Sequence, residues 1–197
     1  PNRFEEGYGL NEGAIRDLAE KGVKVIMTVD CGIRSPNEAV FARSLGVDLF
    51  ISDHHHPKDD LPDAYAVICP KRENDPYPDK ELAGVGVAFK ILQGLLQRAG
   101  VKDRQAEEWL DLVALGTVAD IVPLTGENRV MVRRGVNLIR TGKRLGLNAL
   151  AGVAGKNIRQ VTATDIGFIL GPRLNAAGRM ESALNAFELL ISNSVEE

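Results

Sequence analysis

The sequence is poor in cysteine, in aromatic residues and in long apolar runs. Its two cysteines, Cys31 and Cys69, lack CxxC spacing. Free thiols in a reducing compartment fit better than a disulfide scaffold. No apolar stretch approaches the ~18 residues needed to span a bilayer, and the first residues show no basic-then-apolar signal pattern. The expectation is a cytoplasmic chain that does not engage a membrane. Aromatic residues make up 5% of the 197 positions. The one tryptophan, Trp109, is expected in the core on a helix, and Tyr8, Tyr65 and Tyr77 are scattered, so no platform for stacking bases is evident. There is no internal repeat and no low-complexity tract. What remains is an ordinary globular composition, 44% hydrophobic and 26% charged, long enough for one or two domains with a real core.

The net charge of −3 conceals an asymmetry. Residues 1–128 carry 14 Lys+Arg against 22 Asp+Glu, a net of −8. Residues 129–179 carry 10 Lys+Arg against Asp165 alone, a net of +9, and residues 180–197 add four glutamates. The acidic half could hold cations and the basic half a polyanion, or each could be a set of solvated helix faces.

Periodicity and punctuation predict a helix over 11–21 with Asn11 as cap, ended by Gly22. A continuous apolar strand follows over 23–30, as for a strand covered on both faces. Ser35-Pro36-Asn37-Glu38 opens a helix to about Leu45, and a second strand covers Asp48–Ile51. This is a βαβ unit, so the strands are expected to be parallel with a right-handed crossover. A third short strand is expected near Ala66–Cys69. Helices are expected over 82–99, 106–115 and 127–140. Thr162-Ala163-Thr164-Asp165 opens a short helix ending before Gly171-Pro172, and the last helix covers 182–191. The fold class is therefore α/β: a parallel sheet with flanking helices, then a mainly helical segment. A division into 1–80, carrying candidate ligands, and 81–197, carrying the basic stretch, fits this pattern.

Parallel sheets present ligands beyond the carboxyl ends of their strands. Two strands end in aspartate here, at Asp30 and at Asp53, and His54 and His55 follow immediately. If the strands are neighbours, about 4.8 Å apart, these side chains can share a cation. Imidazole with carboxylate suits Mn2+, Zn2+ or Fe2+ better than Ca2+. The same residues could instead be turn and cap residues in a polar loop. Leu112–Pro123 is apolar around Asp120, and a buried carboxylate there must cap, pair or bind metal. Gly171–Met180 sets Arg173, Asn175 and Arg179 among small residues. Small residues admit a ligand close to the backbone and guanidinium groups grip phosphate, although a Gly/Pro turn with solvated arginines has the same composition.

Taken together, Val29-Asp30-Cys31-Gly32, Ser52-Asp53-His54-His55, Gly116–Pro123 and Gly171–Met180 resemble, in order and approximate spacing, the DHH phosphoesterase superfamily. The long last segment points to its bacterial single-strand DNA exonucleases. Arg3–Gly9 and Leu82-Ala83-Gly84-Val85-Gly86 share the resemblance, which covers nearly the whole chain. It implies Asp30 as a metal-bridging carboxylate and His54 and Asp120 as further metal ligands. His55 would act at the scissile phosphate, with Asp53 orienting its neighbours. Arg173, Asn175 and Arg179 would hold DNA. The implied cofactor is Mn2+, with Mg2+ as substitute, and the implied reaction is 5′→3′ hydrolysis of single-stranded DNA in repair and recombination, alongside repair-protein partners.

Members of the superfamily also carry an earlier Asp-x-Asp-type strand and later substrate-binding domains, which this sequence does not show. The chain is thus expected to be an internal piece of a catalytic core, inactive or nearly so alone. His56 is expected in a loop. Two rival readings stay open: a phosphodiesterase of the same superfamily acting on short oligonucleotides or cyclic dinucleotides, and a non-catalytic scaffold.

Overall fold

A computed structural model describes residues 9–58, 60–101, 103–180 and 183–194. The chain forms two compact units, the first running to Lys90 and the second starting at Ile91.

In the first unit, Asn11 caps helix α1 (Glu12–Glu20), its side-chain oxygen accepting the Ala14 N–H at 2.7 Å. Strand β1 (Val25–Val29), helix α2 (Pro36–Ser44) and strand β2 (Asp48–Ser52) form the expected βαβ unit, and β3 (Ala66–Ile68) adds a third strand. All pairings are parallel, in the order β1-β2-β3. Ile15, Ala39, Ala42, Val47, Leu49 and Ile51 form the core under the sheet. Helix α3 (Gly84–Arg98) follows a proline-rich loop.

The apolar run of β1 is not covered on both faces: Val25, Met27 and Val29 are 57%, 44% and 48% exposed, while Thr28 is buried. Among the described residues β1 pairs only with β2, so it is an edge strand whose side chains alternate between core and surface. Ser35 occupies the N-cap of α2, but its hydroxyl makes no capping bond. Its ψ of 59° departs from the extended geometry that aims a cap hydroxyl at the helix N–H groups.

The second unit is helical: a 3-10 turn (Asp103–Trp109) leads into α4 (Leu110–Ala119), then α5 (Gly126–Ile139) and α6 (Leu145–Val153). A continuous helical run follows, made of α7 (Ala163–Asp165), a π-helical turn (Ile166–Leu170) and α8 (Gly171–Met180), and α9 (Ala183–Ile191) closes it. Its core joins Leu115, Val132, Val136, Leu147, Ile166 and Leu170, among others.

The helix opened by Thr162 does not stop before Gly171-Pro172. The Gly171 N–H reaches back to Ile166 O, five residues earlier, and the wider π turn accommodates a proline that would otherwise collide with a carbonyl four residues before it. Helix α6 has no sequence signature: Arg144 sits at its N-cap without a capping bond, and Gly146 and Gly152 lie within it. Trp109 is 44% exposed rather than in the core, with the Arg144 guanidinium 5.4 Å from its ring centre. Nor is Asp120 a buried carboxylate, being exposed at the C-cap of α4. The buried one is Asp111, held by Arg144 through Nε at 2.6 Å and a terminal nitrogen at 3.1 Å. Arg144 also donates to Leu190 O at 2.9 Å, tying α4 to the last helix.

Removing one partner of a buried ion pair strands the other charge. Asp111→Ala is therefore expected to lower stability by about 3 kcal/mol or more. Arg43→Ala, which breaks a bridge to Asp63 exposed on both sides, should leave the unfolding midpoint almost unchanged. Equilibrium urea unfolding compares the two.

A second prediction concerns the start of the long helix. There the Thr162 hydroxyl and the Asp165 carboxylate cap each other. Lys156 Nζ lies 2.8 Å from Asp165 and, with the Thr162 bonds, holds the Asp165 carboxyl down from 3.8 to about 2. A carboxyl lowered by folding stabilises above its ordinary pKa and loses that contribution as pH falls through the folded value. Thermal midpoints measured from pH 5 to pH 2 should thus converge between wild type and Asp165→Asn at the acid end.

Candidate metal centre

The β1–β2 register pairs Val29 with Ser52, so Asp30 and Asp53 leave the sheet at the same, carboxyl-terminal edge. The ladder continues one step: the Asp30 N–H donates to Ser52 O at 2.9 Å and the Asp53 N–H to Ile68 O at 3.0 Å. Past these bonds the two aspartates do different things.

Asp53 turns inward and is 1% exposed. Its Oδ2 accepts the Ile33 N–H at 2.9 Å. Its Oδ1 accepts the backbone N–H groups of His54 at 2.7 Å and His55 at 3.1 Å, and lies 2.7 Å from His55 Nδ1. Burial alone would push the carboxyl up. The bonds from Ile33, from the His55 ring and from the two histidine N–H groups outweigh it and hold the group below its usual value. With Nδ1–H given to Asp53, the His55 ring keeps Nε2 as its acceptor. Arg34 Nε donates to His56 O at 2.9 Å and pins the far end of the turn.

Asp30 turns outward from a strained backbone. Its φ of 65° lies in the left-handed region, uncommon for a residue with a side chain and costing ~1 kcal/mol or more. Gly32 follows at φ 105°, where an added Cβ would sit 3.1 Å from Thr28 Oγ1. The turn aims Asp30 at His54, with Oδ1 and Nε2 2.9 Å apart. Despite that approach, Oδ1 is buried and accepts no well-aligned hydrogen bond. Asp30, His54 and His55 together offer three ligand atoms within 4.8 Å of one another. One carboxylate and two imidazoles, with a buried carboxylate oxygen among them, fit a divalent transition-metal ion. Cys31, beside them, does not compete: burial, then the Asp53 and Asp30 charges, push its thiol above 9.0 and keep it protonated.

Gly84, at the start of α3, is the site residue whose role the sequence did not disclose. Its neighbour is the Asp30 side chain: a Cβ at Gly84 would lie 2.6 Å from Asp30 Cβ and Cγ.

The remaining expected residues belong to the second unit. Asp120 occupies the C-cap of α4 and is followed by Ile121, a β-branched residue at φ 60°. Arg173 and Asn175 are exposed on α8, which is helix rather than loop. Arg173 donates to Ile169 O at 2.9 Å. Asn175 lines a groove of about 320 Å³ with Ala119, Ile121, Gly167 and Gly171. The Arg179 side chain and the Arg3–Tyr8 stretch lie outside the described residues.

The strand ends of this parallel sheet converge a carboxylate and two imidazoles, the donor set of a metal-binding domain. Residues 1–117 match the DHH family, N-terminal domain, and the chain belongs to that family. It is 47% identical to the single-stranded-DNA-specific exonuclease RecJ of Bacillus subtilis, over 98% of this chain and 24% of that protein. RecJ of Escherichia coli is 44% identical over the full chain and 36% of that protein. The chain thus spans about a quarter to a third of these relatives. The crystal structure of exonuclease RecJ bound to manganese superposes with a TM-score of 0.85 at 35% identity, covering 97% of this chain and 47% of that one. RecJ from Thermus thermophilus in complex with Mn2+ gives 0.82 at 32%, covering 94% and 27%.

Two substitutions test the centre. Gly84→Ala should displace the Asp30 carboxylate, and Asp53→Asn should release the His55 ring. Each is expected to weaken Mn2+ binding about 10–100-fold with little change in the far-ultraviolet circular dichroism. Calorimetric titration with Mn2+ reads the affinity.

Proposed function

We propose that this chain is the metal-bearing core of a 5′→3′ single-stranded-DNA exonuclease. The observation that carries the reading is the convergence of Asp30, His54 and His55 at the strand ends, with Asp53 locked beneath them. Asp30 and His54 would hold Mn2+, with Mg2+ as substitute. Bound there, the metal supplies an activated water and neutralises charge on the phosphate. His55, its ring fixed by Asp53, presents Nε2 to the scissile phosphate. Arg173, Asn175 and Arg179 hold the strand, whose polyanionic backbone the basic stretch 129–179 complements.

On this reading residues 1–80 supply the metal site and residues 81–197 the surface that carries DNA. No helix among the described residues is long and apolar enough to cross a bilayer. The two free cysteines suit the reducing cytoplasm, where the chain acts in repair and recombination beside other repair proteins. RecJ relatives of more than twice this length, and the single-strand specificity in their names, support the assignment.

The test is hydrolysis of 5′-labelled oligonucleotides with Mn2+, by this chain alone and in a longer form. Activity on single strands in the longer form, reduced at least ~100-fold by His54→Ala, is expected, with the short form weak or inactive. Preference for dinucleotides over long strands would instead favour the short-substrate reading. Metal-independent partner binding without hydrolysis would favour a scaffold.

A further inference from the structure

Helix α5 carries Arg129, Val132, Arg133, Val136 and Asn137, and Arg140 is its C-cap; at spacings of three and four they form one stripe. The stripe lines a groove of about 580 Å³ in the second unit, which Leu124, Thr162 and Ala163 complete. The floor is apolar and the rim carries three guanidinium groups. Arg129 and Arg133 are exposed and form no ion pair with a described residue. Glu107 is paired with Arg134 at 2.7 Å and Asp165 with Lys156 at 2.8 Å. Arg140 donates through Nε to Val161 O at 2.8 Å, which fixes its guanidinium at the end of the groove.

Two further observations set what the groove can hold. Arg129 and Arg133 are one helical turn apart, about 6 Å along the axis, comparable to the step between successive phosphates of an extended strand. The groove and the one that Asn175 lines draw on the same two segments of the chain. The α4–α5 link gives Ile121 to one and Leu124 to the other, and the long helix gives Gly167 to one and Ala163 to the other.

We propose that the Arg129–Arg133–Arg140 groove is a second nucleic-acid subsite. Successive backbone phosphates sit on Arg129 and Arg133, Arg140 takes one further along the strand, and the intervening bases lie against Leu124, Val132 and Val136. It extends the track that begins at Asn175 and sets how long a strand the protein holds. This rests on the single-stranded-DNA reading given above and adds a site to it. The apolar floor with a basic rim would also admit an acidic peptide. The phosphate-matched spacing and the net +9 of residues 129–179 favour the nucleic acid.

The test measures anisotropy of a labelled 20-nucleotide oligo-dT in the absence of divalent metal, across a salt series. It compares wild type, Arg129→Ala/Arg133→Ala, and a control double variant, Arg134→Ala/Lys143→Ala, which removes the same charge away from the groove. Each phosphate contact on a single strand contributes ~0.7 to the slope of log affinity against log salt. The groove variant is expected to lose about 1.4 of that slope and the control less than half as much. All three should unfold at closely similar temperatures, since the substituted side chains are exposed. Equal losses in the two variants would reduce the arginines to general charge and overturn the subsite alone. An unchanged DNA slope with lost binding of a poly-glutamate peptide would assign the groove to an acidic protein segment and overturn it equally. No binding of oligo-dT by wild type even at low salt would overturn the exonuclease reading itself, and the subsite with it.

Discussion

The Asp53 carboxylate governs the first unit. It is withdrawn from water, which is costly for a charge, and compensated by backbone donors of Ile33, His54 and His55 and by the His55 ring. Hydrogen bonds to a charged group are worth about 1.5–3 kcal/mol each, and an unmet donor costs a similar amount. One side chain therefore closes the loop after β1, folds the chain after β2 and sets a histidine tautomer. Both Asp53 oxygens already accept hydrogen bonds. Its neighbour across the sheet, Asp30, keeps a buried oxygen available at the cost of a left-handed backbone. The division of labour between two aspartates at equivalent strand ends is what turns a sheet edge into a site.

Much of this was legible in the sequence because it follows from periodicity and punctuation. Apolar runs ending in aspartate, separated by a capped helix, imply parallel strands and a shared edge, and the register confirms it. The placement of Asp30 beside His54 follows from that edge. What was not legible depends on contacts between distant residues. Composition around Asp120 suggested a buried carboxylate, yet the buried one is Asp111, because Arg144, 33 residues away, reaches it with two hydrogen bonds. Trp109 looked like core, but its ring lies at the surface beside that same arginine. Proline in Gly171-Pro172 read as a helix stop, and a π turn carries the helix through it. The role of Gly84 could not be read from Gly84 at all, since it is defined by the Asp30 side chain packed against it.

The second unit follows a different logic. Its basic residues are not equivalent. Arg144 is spent on the fold, and Arg134 and Lys156 on acids at the surface. Charge counting alone treats these alike, whereas the distribution of partners separates arginines that hold the protein together from those that face an apolar groove. The strained turn at Ile121 and the widened helical turn at Ile166–Leu170 both lie along the Asn175 groove or next to it, which is where irregular backbone tends to accompany ligand sites.

On the proposed function Asp30 and His54 take a metal between them, while Asp53 orients and does not ligate. An anomalous difference map from crystals soaked in Mn2+ tests this most directly. The expected result is a peak bonded to Asp30 Oδ1 and His54 Nε2, with the Asp53 hydrogen bonds to Ile33 and His55 intact. A peak on the Asp53 carboxylate, or Mn2+ bound elsewhere while Asp30 and His54 keep their 2.9 Å contact, would contradict it.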